Sequence, residues 1–299
     1  IPFKDLENHN FASISIGTRG LTKFQQTLSF YKKMTHHQAP KNLNTSRQKQ
    51  LLRSTQDKDI VFVSIHNLSS YSSKGFGLTM EEKGFIDALS KKTKVVLVHF
   101  GNPYALKYFD NIEYILQAYD EDDISQEIAA QALFGAIAID GRLPITASER
   151  SKFNTGITTQ SLLRLGFDIP ESVRMDSYTL AKIDGLVQEA INTKATPGGV
   201  VLVAKDGKII YNKSYGYHTY SKRRPVTTTD IYDLASVTKI AASTISMMKL
   251  YEDGEVNVYN PMSNYVSELK GTNKESMTIH DMMAHRAQLY PWIPFYEQT

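Results

Sequence analysis

The chain has 299 residues, enough for two domains or one large one. With 41% hydrophobic residues it can bury ordinary cores, and a net charge of +3 is too small for electrostatic capture of nucleic acid. Cysteine is absent, which excludes disulfides, thiolate catalysis and thiolate metal sites.

No apolar run approaches the roughly 18 residues that a membrane span needs. The basic run Lys222-Arg223-Arg224 precedes Pro225 and reads as a solvated loop. The chain opens on Ile1-Pro2 with no initiator Met or signal peptide, and closes on Phe295 to Thr299, just after an aromatic stretch that resembles a domain interior. It reads as a piece of a longer protein.

Residues 12–17 read as a short strand, followed by the loop Thr18-Arg19-Gly20 and a helical pattern from Thr22 to about Tyr31. Ile60 to His66 is a near-continuous apolar strand. Thr79 is placed to cap a helix through Ala88, with Glu81 and Glu82 favourable in its first turn. Lys94 to Gly101 is a second fully buried strand, ending in Asn102-Pro103 and a short helix. Glu113 to Tyr119 is a third, and Asp122 to Ile139 a long helix with an acidic start.

Apolar strands alternating with helices predict an α/β domain of three layers, a mainly parallel sheet covered on both faces. Ligands in such sheets bind at the carboxyl ends of the strands. That points to His66-Asn67, Gly101-Asn102 and the loop after Gly17, none of which forms a recognisable catalytic set. Gly17 and Gly20 lack the spacing of either phosphate-loop signature. His66 and His99 read as buried strand histidines, and Asp120 to Asp123 as a helix start rather than a metal site. This half reads as a scaffold.

Gly141-Arg142-Leu143-Pro144 closes the first domain, and a polar stretch from Thr146 to about Glu171 reads as a linker. A second, α+β domain follows. Tyr178 to Ile191 is an amphipathic helix; Pro197-Gly198-Gly199 leads into a strand from Val200 to Lys205. Asp206-Gly207 is a hairpin turn, and Lys208 to Tyr217 is the returning strand. A loop from Thr219 to Thr229 then reaches Ser236 and a helix that stops at Asp253-Gly254.

Ser236 and Lys239 stand one helical turn apart, on one face. A serine hydroxyl becomes nucleophilic when a neighbour takes its proton, which a desolvated lysine can do. The Ser-x-x-Lys spacing also occurs at Ser29, Ser46, Ser246 and Ser267, so spacing alone does not single out Ser236. Its context does: Ala235, Ala241 and Ala242 let other backbone come close, and a hairpin pattern lies upstream. The competing reading is that Ser236 merely caps the helix.

Pro197-Gly198-Gly199 with the following strand, Asp206-Gly207-Lys208, and the run from Tyr232 to Ala241 resemble the serine β-lactamase and penicillin-binding-protein-like family, nearest its class C and esterase branch. Met277 to His285 resembles that family's segment before its variable substrate loop. The resemblance covers about residues 176–299. It implies that Ser236 is the acylated nucleophile, that Lys239 helps to deprotonate it, and that the Ser236 N–H is one oxyanion donor. The family's Tyr-x-Asn element is absent from all 17 tyrosines, and no Lys-Ser/Thr-Gly occurs. The resemblance therefore implies a truncated domain, inactive by itself.

The first half also carries a resemblance. Ser15-Ile16-Gly17, the run from Val95 to Tyr104 and the closing Gly141-Arg142-Leu143-Pro144 resemble the C-terminal α/β domain of glycoside hydrolase family three, β-N-acetylhexosaminidase type. In that family the catalytic residues sit mainly on a preceding barrel. The implied organisation is an α/β domain over 1–147, a linker over 148–175 and a partial serine hydrolase domain over 176–299. The implied protein is a bifunctional hydrolase of glycans and peptides, such as peptidoglycan fragments, in the periplasm or cell envelope. It would need no cofactor, and no metal-ligand spacing occurs: the adjacent His36-His37 diverge. A simple carboxylesterase or peptidase, and a non-catalytic module binding cell-wall peptides, are the alternatives.

Overall fold

The apolar runs form the centre of a parallel sheet. Its strands are β1 (Phe11–Ile16), β2 (Thr35–Ala39), β3 (Ile60–Ile65), β4 (Lys94–His99) and β5 (Tyr114–Gln117). They are all parallel, in the order β2-β1-β3-β4-β5. The computed structural model describes residues 1–294 and Tyr296, divided into two compact units, 1–228 and 229–299.

In the first unit both faces of the sheet are covered. Helices α2 (Thr45–Ser54) and α3 (Met80–Ser90) bring Leu51, Phe85, Ile86 and Leu89 onto Ile14, Val61, Val63 and Leu97. On the other face α1 (Lys23–Tyr31) and α4 (Asp123–Leu133) bring Phe24, Leu28, Ala130 and Leu133 onto Phe11, Phe62, Val96 and Val98. Alternate residues of β1, β3 and β4 thus enter different cores, as the strand period of two requires. Burying each large side chain in these cores contributes about 1.5–3 kcal/mol. The result is the expected three-layer α/β architecture.

Two elements escape the sequence pattern. β2 and α2 occupy 35–54, where the side chains are mostly polar and only Ala39, Leu43 and Leu51 are buried hydrophobics. The long helix expected over 122–139 is shorter. It ends at Leu133 because Gly135 takes a left-handed φ of 72° and turns the chain away.

The unit also holds a small mixed sheet of β6 (Gly166–Phe167), β7 (Gly198–Lys205) and β8 (Lys208–Gly216), ordered β6-β8-β7. Asp206 and Gly207 both have positive φ, 50° and 76°, the geometry of a type I′ hairpin. Helix α5 (Ser177–Asn192) lays Leu180 and Ile183 against Ile210 and Val203. β6 lies inside the polar stretch that reads as linker. It pairs in parallel with β8, and both backbone groups of Phe167 are held by Gln131 of α4.

In the second unit a π-helical segment, Lys239–Thr244, runs directly into α6 (Ile245–Glu252). The helix stops where Gly254 adopts φ 75°. A short α7 (Ile279–Met283) is capped by Thr278, whose hydroxyl accepts the Asp281 N–H at 3.0 Å. Phe295 and residues 297–299 lie outside the described residues; Tyr290, Trp292 and Tyr296 near them are exposed.

Candidate functional site

Ser236 is presented by a tight turn. The Asp233 carboxylate accepts the Ala235 N–H at 2.8 Å, and Ala235 is held at φ 43°, an uncommon conformation for a residue with a Cβ. Val237, Thr238 and Lys239 then donate their N–H groups to the carbonyls of Leu234, Ala235 and Ser236. Those bonds leave the Ser236 N–H outside the turn's hydrogen bonding.

The turn and the π-helical start place the Lys239 side chain over the serine. Lys239 Nζ donates to Ser236 Oγ at 2.9 Å. A π segment widens the helix by one residue per turn and recurs at functional sites. Ser236 Oγ is thus engaged by the lysine rather than by the N–H groups of a following helix turn. Both side chains are exposed, as is every residue from Ile231 to Ser243. Of the five Ser-x-x-Lys pairs, Ser236–Lys239 is the pair joined by a side-chain hydrogen bond among the described residues. Lys249 instead pairs with Asp253 at 2.6 Å, and Ser29 Oγ contacts His36 at 2.7 Å.

At the carboxyl edge of the parallel sheet the structure forms a cleft of about 400 Å³. Thr18, Thr22, Lys23 and Gln26 line one side, His66 and Asn67 the floor, and Glu121, Asp123 and Gln126 the other side. Of the three expected strand-end loops, those after Gly17 and at His66-Asn67 meet here; Gly101-Asn102 does not line it. Glu121 escaped sequence reading because it stands in a run that looks like a helix start. Gly17 has φ 91°, and a Cβ there would lie 2.5 Å from the His66 carbonyl oxygen, so the two strand ends close against each other only with glycine. Burial pushes His66 down to a pKa of about 4 and His99 likewise to about 4. Both rings are neutral at pH 7, and both sit buried as expected.

Residues 183–298 match the beta-lactamase family model. The matched stretch contains Ser236 and Lys239. Among curated proteins, the chain is 30% identical over 139 residues to N-acetylmuramyl-L-alanine amidase of Bacillus subtilis strain 168, covering 42% of this chain and 31% of the relative. It is also 30% identical over 115 residues to Protein flp of Staphylococcus aureus, covering 37% and 23%. The chain spans less than a third of the length of these curated relatives. Among solved structures it is similar to a glycoside hydrolase family 3 β-N-acetylglucosaminidase from Paenibacillus sp. str. FPU-7. That likeness is 14% identical at a TM-score of 0.42, covering 50% of this chain and 29% of the other.

Proposed function

We propose that this chain is part of a cell-wall hydrolase whose serine domain works through an acyl-enzyme on Ser236. The observation that carries the reading is the 2.9 Å approach of Lys239 Nζ to Ser236 Oγ inside the family-matched stretch. In the reaction Lys239 takes the hydroxyl proton as Ser236 Oγ bonds to the substrate carbonyl carbon. The oxygen that gains charge accepts the Ser236 N–H. Collapse expels the amine or alcohol, which carries away a proton, and water then releases the acid. A lysine performs this step when it is desolvated, so substrate or further protein must cover the exposed pair.

The organisation we favour is an α/β domain of glycoside hydrolase family three type over 1–147, a connection over 148–175 and the serine hydrolase domain from 176 onward. Joining the two on cell-wall glycan and peptide, in the cell envelope, is supported by the sequence resemblances and by a relative named as an amidase.

The test is covalent labelling of the intact protein with a fluorescent penicillin and an activated ester, read by mass spectrometry. A single adduct on the peptide containing Ser236 is expected. Ser236→Ala should abolish it, and Lys239→Met should slow it by about 100-fold or more, the scale of a lost general base. A label that survives in Ser236→Ala overturns the assignment. An unlabelled protein that still binds a D-Ala-D-Ala peptide points to the non-catalytic alternative.

A further inference from the structure

We propose that the outer edge of β5 takes up an extended peptide as a further strand, an apolar segment with a carboxylate at one end. The inference rests on the 1–228 unit alone and stands or falls separately from Ser236.

β5 is the last strand in the order β2-β1-β3-β4-β5, so only one of its sides is paired, with β4. Just past β5, Ala118 donates its N–H to the His99 carbonyl at 3.0 Å, which continues that ladder. Backbone groups along a strand point to its two sides by turns. Tyr114, Leu116 and Ala118 therefore face β4, and Ile115 and Gln117 turn their N–H and C=O outwards. Among the described residues, none of those four groups has a hydrogen-bond partner. One residue pair earlier the edge is covered. Arg150 donates to the Glu113 carbonyl at 3.0 Å and to the Asp110 carbonyl at 2.6 Å, where a neighbouring strand would otherwise bond. An open row of this kind is a template for an added strand.

The row borders a groove of about 370 Å³. Its far wall is made by two segments tied to each other. The Leu143 N–H donates to the Thr155 carbonyl at 2.9 Å, and the Thr159 N–H to the Ile139 carbonyl at 2.7 Å. That wall brings Ile139, Leu143 and Ile157 to the groove, and Ile112 lies in the same core as Ile115. One side of the groove thus offers amide donors and acceptors, and the other offers apolar side chains. An acyl chain would leave the four backbone groups unmatched. An extended peptide satisfies them with its own amides and gives its apolar side chains to the walls.

Charge fixes the remaining feature. Arg142, Arg150 and Glu113 line the groove, two guanidiniums against one carboxylate. Arg142 bonds the Asp140 and Gly141 carbonyls and Thr158 Oγ1, and Arg150 the two carbonyls named above. Neither guanidinium meets a carboxylate among the described residues. A carboxylate on the incoming peptide supplies that partner.

The test uses the intact protein and an N-terminally dye-labelled peptide, Thr-Val-Ile-Val-Asp, read by fluorescence anisotropy and amide hydrogen exchange. Saturable binding with a Kd below about 1 mM is expected, with exchange slowed at Ile115 and Gln117. Only alternate peptide amides face β5. Of two peptides N-methylated at adjacent residues, one should therefore bind about tenfold more weakly and the other as before. Ile157 is 80% exposed, so Ile157→Asp should keep the fold and weaken binding about tenfold. Arg142→Gln should weaken the peptide ending in Asp about threefold, and leave one ending in an amidated Asn unchanged. Absence of binding up to about 1 mM overturns the proposal, as does equal binding of the two methylated peptides or of Ile157→Asp. Tighter binding of decanoate would make the groove a lipid site instead. A dimer in sedimentation that Ile157→Asp dissolves would make it a contact between copies. Either result overturns the peptide assignment.

Discussion

His66 follows the end of β3 and His99 ends the neighbouring β4, and their burial has a consequence for acid stability. In the unfolded chain each would titrate near 6.5, whereas in the fold both are held at about 4. Between those values the unfolded chain binds more protons. Stability is therefore complete above about pH 6.5 and falls as the pH drops towards 4. The loss should be on the order of a few kcal/mol for the pair. Thermal melts of wild type across that window should show a steep acid limb, and a His66→Gln, His99→Gln double variant a shallower one. Equal slopes would mean that other groups control the transition.

At the scale of the element, helix α3 offers a clean case. Thr79 Oγ1 accepts the Glu82 N–H at 3.1 Å, and Glu82 Oε2 accepts the Thr79 N–H at 2.8 Å, a reciprocal box legible in the sequence as Thr-x-x-Glu. Thr79→Ala should cost about 1 kcal/mol in urea unfolding, while Thr79→Ser should cost little. An alanine variant as stable as wild type would remove the cap from the account. Elements with such local chemistry, or with long apolar runs, could be read before the fold was known: α3, β3, β4 and the β7–β8 hairpin. β2 could not, since its Thr-His-His-Gln-Ala sequence is that of an edge strand, and the His36 and Gln38 side chains find their partners on other elements. His36 bonds Ser13 and Ser29, and Gln38 bonds Gln25. Those partners are distant in sequence or on another element, and no periodicity announces them.

On the scale of the whole molecule, order is unevenly distributed. β1 and β3 are buried along their whole length, and β4 beyond its first residue. The helical run from Lys239 to Glu252 buries no residue at all. Short helices without tertiary packing are marginal in water. In hydrogen exchange the amides of β1, β3 and β4 should be the slowest and those of 239–252 among the fastest. Comparable protection of the two would show that this helix is packed in solution. The two candidate sites differed in the same way. Ser236 and Lys239 lie close in sequence and were readable as a pair. The cleft draws on residues from 17 to 126 that only the parallel sheet brings together.

One side chain also governs how the small sheet is tied down. The Gln131 amide gives its N–H to the Phe167 carbonyl and takes the Phe167 N–H at 2.8 Å. It thereby imitates one rung of a strand ladder from the last turn of a helix. The backbone between α4 and β6 is thus a loop clamped at both ends. Because closure entropy grows only slowly with loop length, that segment can lengthen or shorten between homologous chains while the hairpin beyond it keeps its place on α4.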